Sequence, residues 1–237
     1  LTVILWTKKW AEETQKKIKF FKTLKSSNTT AKELKTLSTL PTLLIAEEQT
    51  NPYGRKKRRW SPSDFMATWT WQSAHVPSPV FSPLLGLTLY NTFQKIWPSD
   101  LWSLKAPNDI YLANKKTAGI LLETKISSAI SAKVGIQKYR NVQIIFGLGI
   151  NVLKAPPSAE CIKNHHDVTE LLWRKFLDHF WESLTDLINT NVSEIPSNDS
   201  KTLKKALQNH LQYKDLIQVC ENGSLIFKDK TIHWSDL

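Results

Sequence analysis

The chain has 237 residues and a formal net charge of +11, a length that fits one domain of about 150–200 residues with a small appendage. Its hydrophobic fraction of 41%, with 10 Trp, 9 Phe and 5 Tyr, supplies the aromatic mass of a packed core and excludes disorder over most of the length. No apolar run reaches the roughly 18 residues of a membrane span, and Cys161 and Cys220 make neither a disulfide framework nor a zinc set, so a cytoplasmic setting is the default expectation.

The first six residues are too short for a signal-peptide core, and lysines follow them. Residues 8–25 are lysine-rich with scattered Ile18, Phe20, Phe21 and Leu24, a pattern read as a strand or short helix. Residues 1–21 are set apart as an N-terminal extension. Residues 26–30 read as a loop ending in a helix N-cap. Residues 31–40 read as a short helix stopped by Pro41, and residues 42–48 as an apolar strand. Residues 49–64 have no apolar period and read as a loop. Phe65, Ala67, Trp69 and Trp71 alternate with smaller or polar residues, the period of a half-buried strand. Residues 79–97 place Leu85, Leu89 and Phe93 at steps of four, which predicts an amphipathic helix.

Short strands are expected over residues 101–105 and 109–113. A tight turn at Asn114-Lys115 leads into another over residues 117–123, and residues 142–150 form a buried strand. Val168, Leu172, Phe176, Phe180 and Leu184 recur every four residues along a long helix, and residues 202–211 form a further one. Strand-like pieces near residues 216–220, 224–227 and 231–234 form a small C-terminal β unit. Helices and strands alternate without strict βαβ regularity. The predicted class is α+β, a mixed β-sheet with helices packed mainly on one face.

The run Arg55-Lys56-Lys57-Arg58-Arg59 has three readings. It is a solvated charged face, a nuclear-import or RNA-binding segment, or a loop that closes over a small polyanion. Strands expected at both ends suit a loop better to the third task, with arginines for bidentate phosphate contacts and lysines for point charges. Five like charges repel one another, so the loop is expected to be mobile without a ligand and ordered with one.

Four segments, in this order and spacing, resemble the biotin–protein ligases. They are Ser26-Ser27-Asn28; Ala46-Glu47-Glu48-Gln49 followed by Gly54-Arg55-Lys56-Lys57-Arg58-Arg59-Trp60 and Ser61-Pro62; Lys105-Ala106-Pro107-Asn108-Asp109 with Lys116-Thr117-Ala118-Gly119-Ile120-Leu121-Leu122-Glu123; and Gly147-Leu148-Gly149-Ile150-Asn151. The resemblance covers residues 22–155 closely. It implies a fold like that of class II aminoacyl-tRNA synthetases, with a catalytic domain over residues 22–200 and a C-terminal β domain over 201–237. It also implies ATP-dependent ligation of biotin to a lysine of a biotin carboxyl carrier protein, through biotinyl-AMP.

By the same resemblance Ser26, Ser27 and Gln49 bond the biotin ureido group, and Gly119 and Gly147, with Gly149, let backbone approach the ligand. Arg55, Lys56, Arg58, Trp60 and Asn108 meet the nucleotide and its phosphates, and Asn151 meets the adenine. Lys116 and Arg55 are the catalytic cations, and Asp109 is a Mg2+ ligand or a substrate-ordering carboxylate. Trp60 and the Trp69/Trp71 strand wall the valeryl chain. The partners implied are biotin, ATP and the carrier protein of acetyl-CoA carboxylase or a related enzyme, with no DNA and no membrane, in a monomer or homodimer. No helix-turn-helix pattern precedes Ser26. Pro52, Tyr53 and Lys57 stand where the family loop has glycines and another arginine, Ala106 where it has Trp, and Ser27 where it has Thr. The rival readings are a lipoate or octanoate–protein ligase, whose Gly-rich, His-containing loop is not found, and an RNA-binding protein using residues 55–59.

Overall fold

Apolar and β-branched runs such as Val142–Ile150 pair side by side because residues of this kind fill a pleated, covered surface. A computed structural model describes residues 2–34, 38–60, 64–127, 141–190 and 192–237. In chain order its elements are α1 (Thr2–Glu13), β1 (Ile18–Leu24), α2 (Ser27–Glu33), β2 (Thr42–Gln49), β3 (Phe65–Ser73), α3 (Phe81–Ile96), β4 (Trp102–Lys105), β5 (Asp109–Leu112), β6 (Lys115–Ser127), β7 (Asn141–Ile150), α4 (Glu170–Asn189), α5 (Ser197–Gln208), β8 (Leu216–Val219), β9 (Ser224–Phe227) and β10 (Thr231–His233). The main sheet runs β1-β2-β3-β7-β6-β5-β4. Only β1 and β2 are parallel; the other pairs are antiparallel. Strands β8 to β10 form a separate antiparallel sheet. The architecture is the expected α+β class.

Helices α1, α3 and α4 share the core on one face of the main sheet, and α5 joins it against β4. The four-residue period of α4 buries Trp173, Phe176, Phe180 and Leu184 along one side. Trp173 meets Phe65 of β3 edge-on at 5.0 Å, and Phe180 meets Trp69 at 5.4 Å. Phe93 of α3 stacks on Trp102 at 4.7 Å and on Phe176 at 5.3 Å. Each such ring adds roughly 1.5–3 kcal/mol of burial. The segment set apart as an extension contributes here too. Val3, Ile4, Thr7, Trp10 and Ala11 follow helical spacing and are buried. The Trp10 indole donates to Asp178 Oδ1 (2.6 Å), and the Trp173 indole donates to Thr7 Oγ1 (2.9 Å). Residues 2–24 thus supply a core helix and an edge strand. Among the described residues no helix is long and apolar enough to cross a membrane.

The other face carries α2, whose Ala31 packs on Leu44 and Ile145. This helix starts before the expected position, at Ser27, and ends at Glu33; the later part of the expected helix includes residues 35–37, outside those described. Ser27 and Asn28 are poor helix formers because their side chains compete for backbone bonds. Here tertiary partners occupy those side chains, so the helix extends through them. The same cover makes β3 buried on both faces rather than half-buried: Thr68 and Thr70 are both fully buried.

Residues flanking the C-terminal sheet grip the turn between β4 and β5. The buried Tyr213 hydroxyl donates to the Ala106 carbonyl (3.2 Å), and the Trp234 indole donates to the Pro107 carbonyl (3.1 Å). Burial pushes the Tyr213 phenol up to about 12, so it stays protonated as a donor. These two bonds fix the segment that leads directly into Asn108 and Asp109.

Candidate active site

On the α2 face, strand register sets Met66, Gly149, Gly119 and Asp109 in one row across β3, β7, β6 and β5. Thr68, Gly147 and Leu121 form the next row. The glycines leave this floor bare. Trp60, from the loop between β2 and β3, lies directly on it: a Cβ on Gly119 would stand 2.8 Å from Trp60 Cζ3, and one on Gly149 would stand 2.8 Å from Trp60 Cε2. Above the floor opens a cavity of about 420 Å3. Ser26, Ser27, Gln49, Arg55, Lys56, Arg58, Trp60, Asn108, Asp109, Lys116, Gly119 and Gly147 all line it. Asn151 does not; it is buried, and its Nδ2 donates to the Lys116 carbonyl (3.4 Å). Trp69 and Trp71 belong to the opposite face, in the aromatic core with Phe180 and Phe81. The alternation that identified their strand also points them away from the cavity.

Lys116 reaches the cavity through a β-bulge. Asp109 pairs with Gly119 and Ile110 with Ala118, but Tyr111 pairs with Lys116, so Thr117 is the extra residue. In an unbroken strand, residues three apart face opposite sides. The bulge puts Lys116 on the same face as Gly119 and Asp109. Asn151 N–H donates to the Thr117 carbonyl (2.9 Å), and Glu160 N–H to the Lys116 carbonyl (3.0 Å), which tie the bulge down. Lys116 Nζ sits 2.6 Å from Asp109 Oδ1 and 4.5 Å from the centre of the Trp60 ring. Asn108 Nδ2 donates to the Ile120 carbonyl (2.6 Å), and no bond to its amide oxygen occurs among the described residues. No cluster of three or more His, Cys, Asp or Glu side chains suited to a metal occurs among the described residues. Asp109 faces the Lys116 ammonium.

A polar network closes the opposite end. Gln49 Oε1 accepts from Ser27 N–H (2.9 Å), and its Nε2 donates to the Met66 carbonyl (3.1 Å). The Thr68 hydroxyl donates to Asn28 Oδ1 (2.6 Å) and lies 2.7 Å from Ser27 Oγ. Asn28 Nδ2 donates to Glu123 Oε2 (2.9 Å). Lys32 Nζ binds Glu123 Oε1 (2.7 Å), and the Tyr53 hydroxyl donates to Glu123 Oε2 (3.1 Å).

Burial alone would raise the Glu123 carboxyl, but the bonds from Asn28, Lys32 and Tyr53 outweigh it and hold the group below its ordinary 4.5. Lys32 is held above its ordinary 10.5: burial opposes this, and the bonds to Glu123 and Tyr53 prevail. A lowered carboxyl stabilises the fold above its unfolded value and loses that contribution as pH falls through the folded one. A raised lysine loses its contribution only as pH climbs past its folded value. Thermal stability from this group should therefore hold through neutral pH and fall on the acid side below pH 4.5. Glu123→Gln should flatten part of that acid limb in melts run across pH; an unchanged limb would remove the network from the stability of the fold.

The basic loop is hydrogen-bonded within itself. Gly54 N–H donates to the Arg58 carbonyl (2.8 Å), Arg58 N–H to the Arg55 carbonyl (3.2 Å), and Trp60 N–H to the Pro52 carbonyl (3.0 Å). Lys56 and Lys57 take φ of 54° and 58°, a left-handed conformation that costs a non-glycine residue about 1–2 kcal/mol. Among the described residues no acidic side chain pairs with Arg55, Lys56, Lys57, Arg58 or Arg59. Lys57 Nζ lies over the Tyr53 ring at 4.4 Å. Sequence reasoning gave no role to Tyr53, Lys32, Thr68 or Glu123, although Glu123 closes one of the motifs; only spatial proximity joins them. Ser61 and Pro62 lie outside the described residues.

The sequence profile of the biotin/lipoate A/B protein ligase family matches residues 20–137. Residues 20–137 belong to that family. Escherichia coli bifunctional ligase/repressor BirA is 32% identical over 113 residues, which are 46% of this chain and 32% of BirA. The chain thus spans about a third of the length of the curated relatives it matches. Among solved structures, biotin protein ligase from Aquifex aeolicus in complex with biotin and ATP superposes with a TM-score of 0.64 at 20% identity, over 92% of this chain and 94% of that one. Biotin protein ligase from Leishmania major in complex with biotin gives 0.60 at 18% identity, over 80% and 81%. At these identities the superpositions establish the fold.

Proposed function

We propose that this chain activates biotin with ATP and passes it to a lysine of a biotin carboxyl carrier protein. The observation that carries this reading is the two-ended cavity. Neutral hydrogen-bonding groups (Ser26, Ser27, Gln49) and the cations Arg55, Arg58 and Lys116 line one cavity over a glycine floor covered by Trp60, with Gln49 bonded to Met66 at one end of the floor row and Lys116 to Asp109 at the other. Biotin has a neutral ureido head, an apolar chain and a carboxylate. It fits with the head at Ser27 and Gln49, the chain along the Trp60 ring that covers Gly119 and Gly149, and the carboxylate toward Lys116.

A carboxylate oxygen then attacks the α-phosphorus of ATP, the bond to pyrophosphate breaks, and biotinyl-AMP forms. Negative charge grows on the phosphoryl oxygens during this step, and fixed cations there lower the barrier. Lys116, held by Asp109 and the bulge, is aimed before ATP arrives. Arg55 and Arg58 are placed to take the phosphates bidentately. Asn151 supports Lys116 through its carbonyl in this reading rather than meeting adenine. Mg2+ characteristically keeps its waters and takes one or two carboxylates plus substrate phosphates, so Asp109 with the Asn108 amide oxygen fits a phosphate-borne Mg2+ that would offset charge on the leaving pyrophosphate. In the second half-reaction the acceptor amine attacks the acyl carbon, and AMP leaves.

The test is ATP–pyrophosphate exchange. Exchange should require biotin, and saturating biotin plus ATP should raise the melting temperature by roughly 2–4 °C or more through linkage. Exchange driven by lipoate and not by biotin would assign the chain to the other branch of its family. No exchange with either acid would sink the enzymatic reading.

A further inference from the structure

The loop departs from the ligase pattern at Tyr53, and Tyr53 is also where the structure ties the loop to the sheet. Its hydroxyl donates to Glu123 Oε2 on β6 and accepts from Lys32 Nζ on α2 (3.2 Å). Its backbone bridges Arg59 at the far end of the basic run. Its ring receives Lys57 Nζ at 4.4 Å and Lys32 Nζ at 5.6 Å. One residue therefore joins the two limbs of the loop through its backbone and ties the loop to the framework through its side chain. A further cation at this position would add to the repulsion among residues 55–59. A phenol gives a bond to a half-buried carboxylate and an aromatic face for a lysine, without added charge.

We propose that Tyr53 is a positioning residue that holds the basic loop, and with it Arg55, Arg58 and Trp60, over the cavity before any ligand arrives. The loop then needs no phosphate countercharge to close, and Lys57 lies against the Tyr53 ring. The left-handed backbone at Lys56 and Lys57 is the strained part of the arrangement, and the Tyr53 contacts offset it. The catalytic consequence rests on the reading of the cavity as a biotin and ATP site: a pre-anchored loop retains the acyl-adenylate and lowers the ordering cost of binding ATP.

The first experiment needs no ligand. Hydrogen exchange at the amides of Gly54, Arg58 and Trp60 is measured in the free chain. They should be protected in the wild type. Tyr53→Phe should speed their exchange about tenfold, as expected for loss of a hydrogen bond to a charged group, while amides of β7 and α4 keep their rates. Tyr53→Ala, which also removes the ring beneath Lys57, should speed it further. Wild-type loop amides exchanging like unstructured chain, or no change in Tyr53→Phe, would overturn the proposal. The second experiment follows release of biotinyl-AMP and the kinetics of its formation. Tyr53→Phe should raise the release rate and the KM for ATP about tenfold, with kcat at saturating ATP changed less than about threefold. An equal fall in kcat with KM unchanged would make Tyr53 part of the chemistry and overturn the positioning role. A wild type that makes no biotinyl-AMP fails the functional reading alone, because the exchange result on the free loop still decides whether Tyr53 anchors it.

Discussion

Lys116→Ala is expected to slow formation of biotinyl-AMP by about 100- to 1000-fold while changing biotin affinity by less than about threefold. The ammonium stands 2.6 Å from Asp109 and over the Trp60 ring, at the cationic end of the cavity. Charge on the α-phosphate grows as the new bond forms, so the loss falls on the transition state and appears in kcat. Lys115 is the control: it is exposed at the start of β6. Removing Lys116 also leaves Asp109 without its cation and repelling the incoming phosphates. The Asp109→Asn, Lys116→Ala double variant separates that repulsion from the direct loss; recovery of part of the rate in the double variant measures it. Single-turnover adenylation with titrated biotin checks the split. Equal small effects of Lys115→Ala and Lys116→Ala would show that the bulge does not serve to aim a catalytic lysine.

Gly119→Ala should cost about tenfold or more in kcat/KM with a melting temperature within about 2 °C of wild type. The added methyl would press on Trp60 and lie 3.1 Å from Lys116 Cε. Trp60 belongs to a loop and only partly contributes to buried structure, so the loop yields and the core does not. Gly147→Ala makes the contrast. Its methyl would run into the Asn28 amide, with Cγ at 3.0 Å. Asn28 is buried and bonded to Thr68 and Glu123. Displacing it strands polar groups, at a cost of about 1–3 kcal/mol in stability. Calorimetry on both variants, with protease cleavage within residues 55–59 as a gauge of loop closure, checks the pair. A fully active Gly119→Ala with a protected loop would mean that Trp60 does not need the bare floor.

The glycines show what was legible in the sequence. Gly119, Gly147 and Gly149 stood out in a glycine-poor chain, and register gathers all three on one floor. The helical period of α4 and the strand periods of β3 and β7 were equally plain, because burial on one side leaves a repeat. The bulge at Thr117 was not legible: it changes which side Lys116 faces without changing its neighbours in sequence. Nor was the group of Asn28, Lys32, Tyr53 and Glu123, whose members come from three separate stretches and meet only after folding. The α1 stripe was present at Val3, Ile4, Thr7 and Trp10, but the surrounding lysines obscured it. Those lysines are compatible with a helix whose other side is wet.

The two edges of the main sheet are treated differently. Strand β4 is backed by α5, and Asn209 Nδ2 donates to the Trp102 carbonyl there (3.1 Å). Strand β1 pairs only with β2 among the described residues, so its outer row of backbone donors and acceptors is an open template for another chain. Exposed Lys17, Lys19, Lys22 and Lys25 punctuate that row. A second strand docking there would have to bring its own lysines alongside them, and edge-to-edge growth into aggregates is disfavoured. Part of the net positive charge thus acts as a colloidal safeguard, keeping the sheet from extending into its neighbours at high concentration.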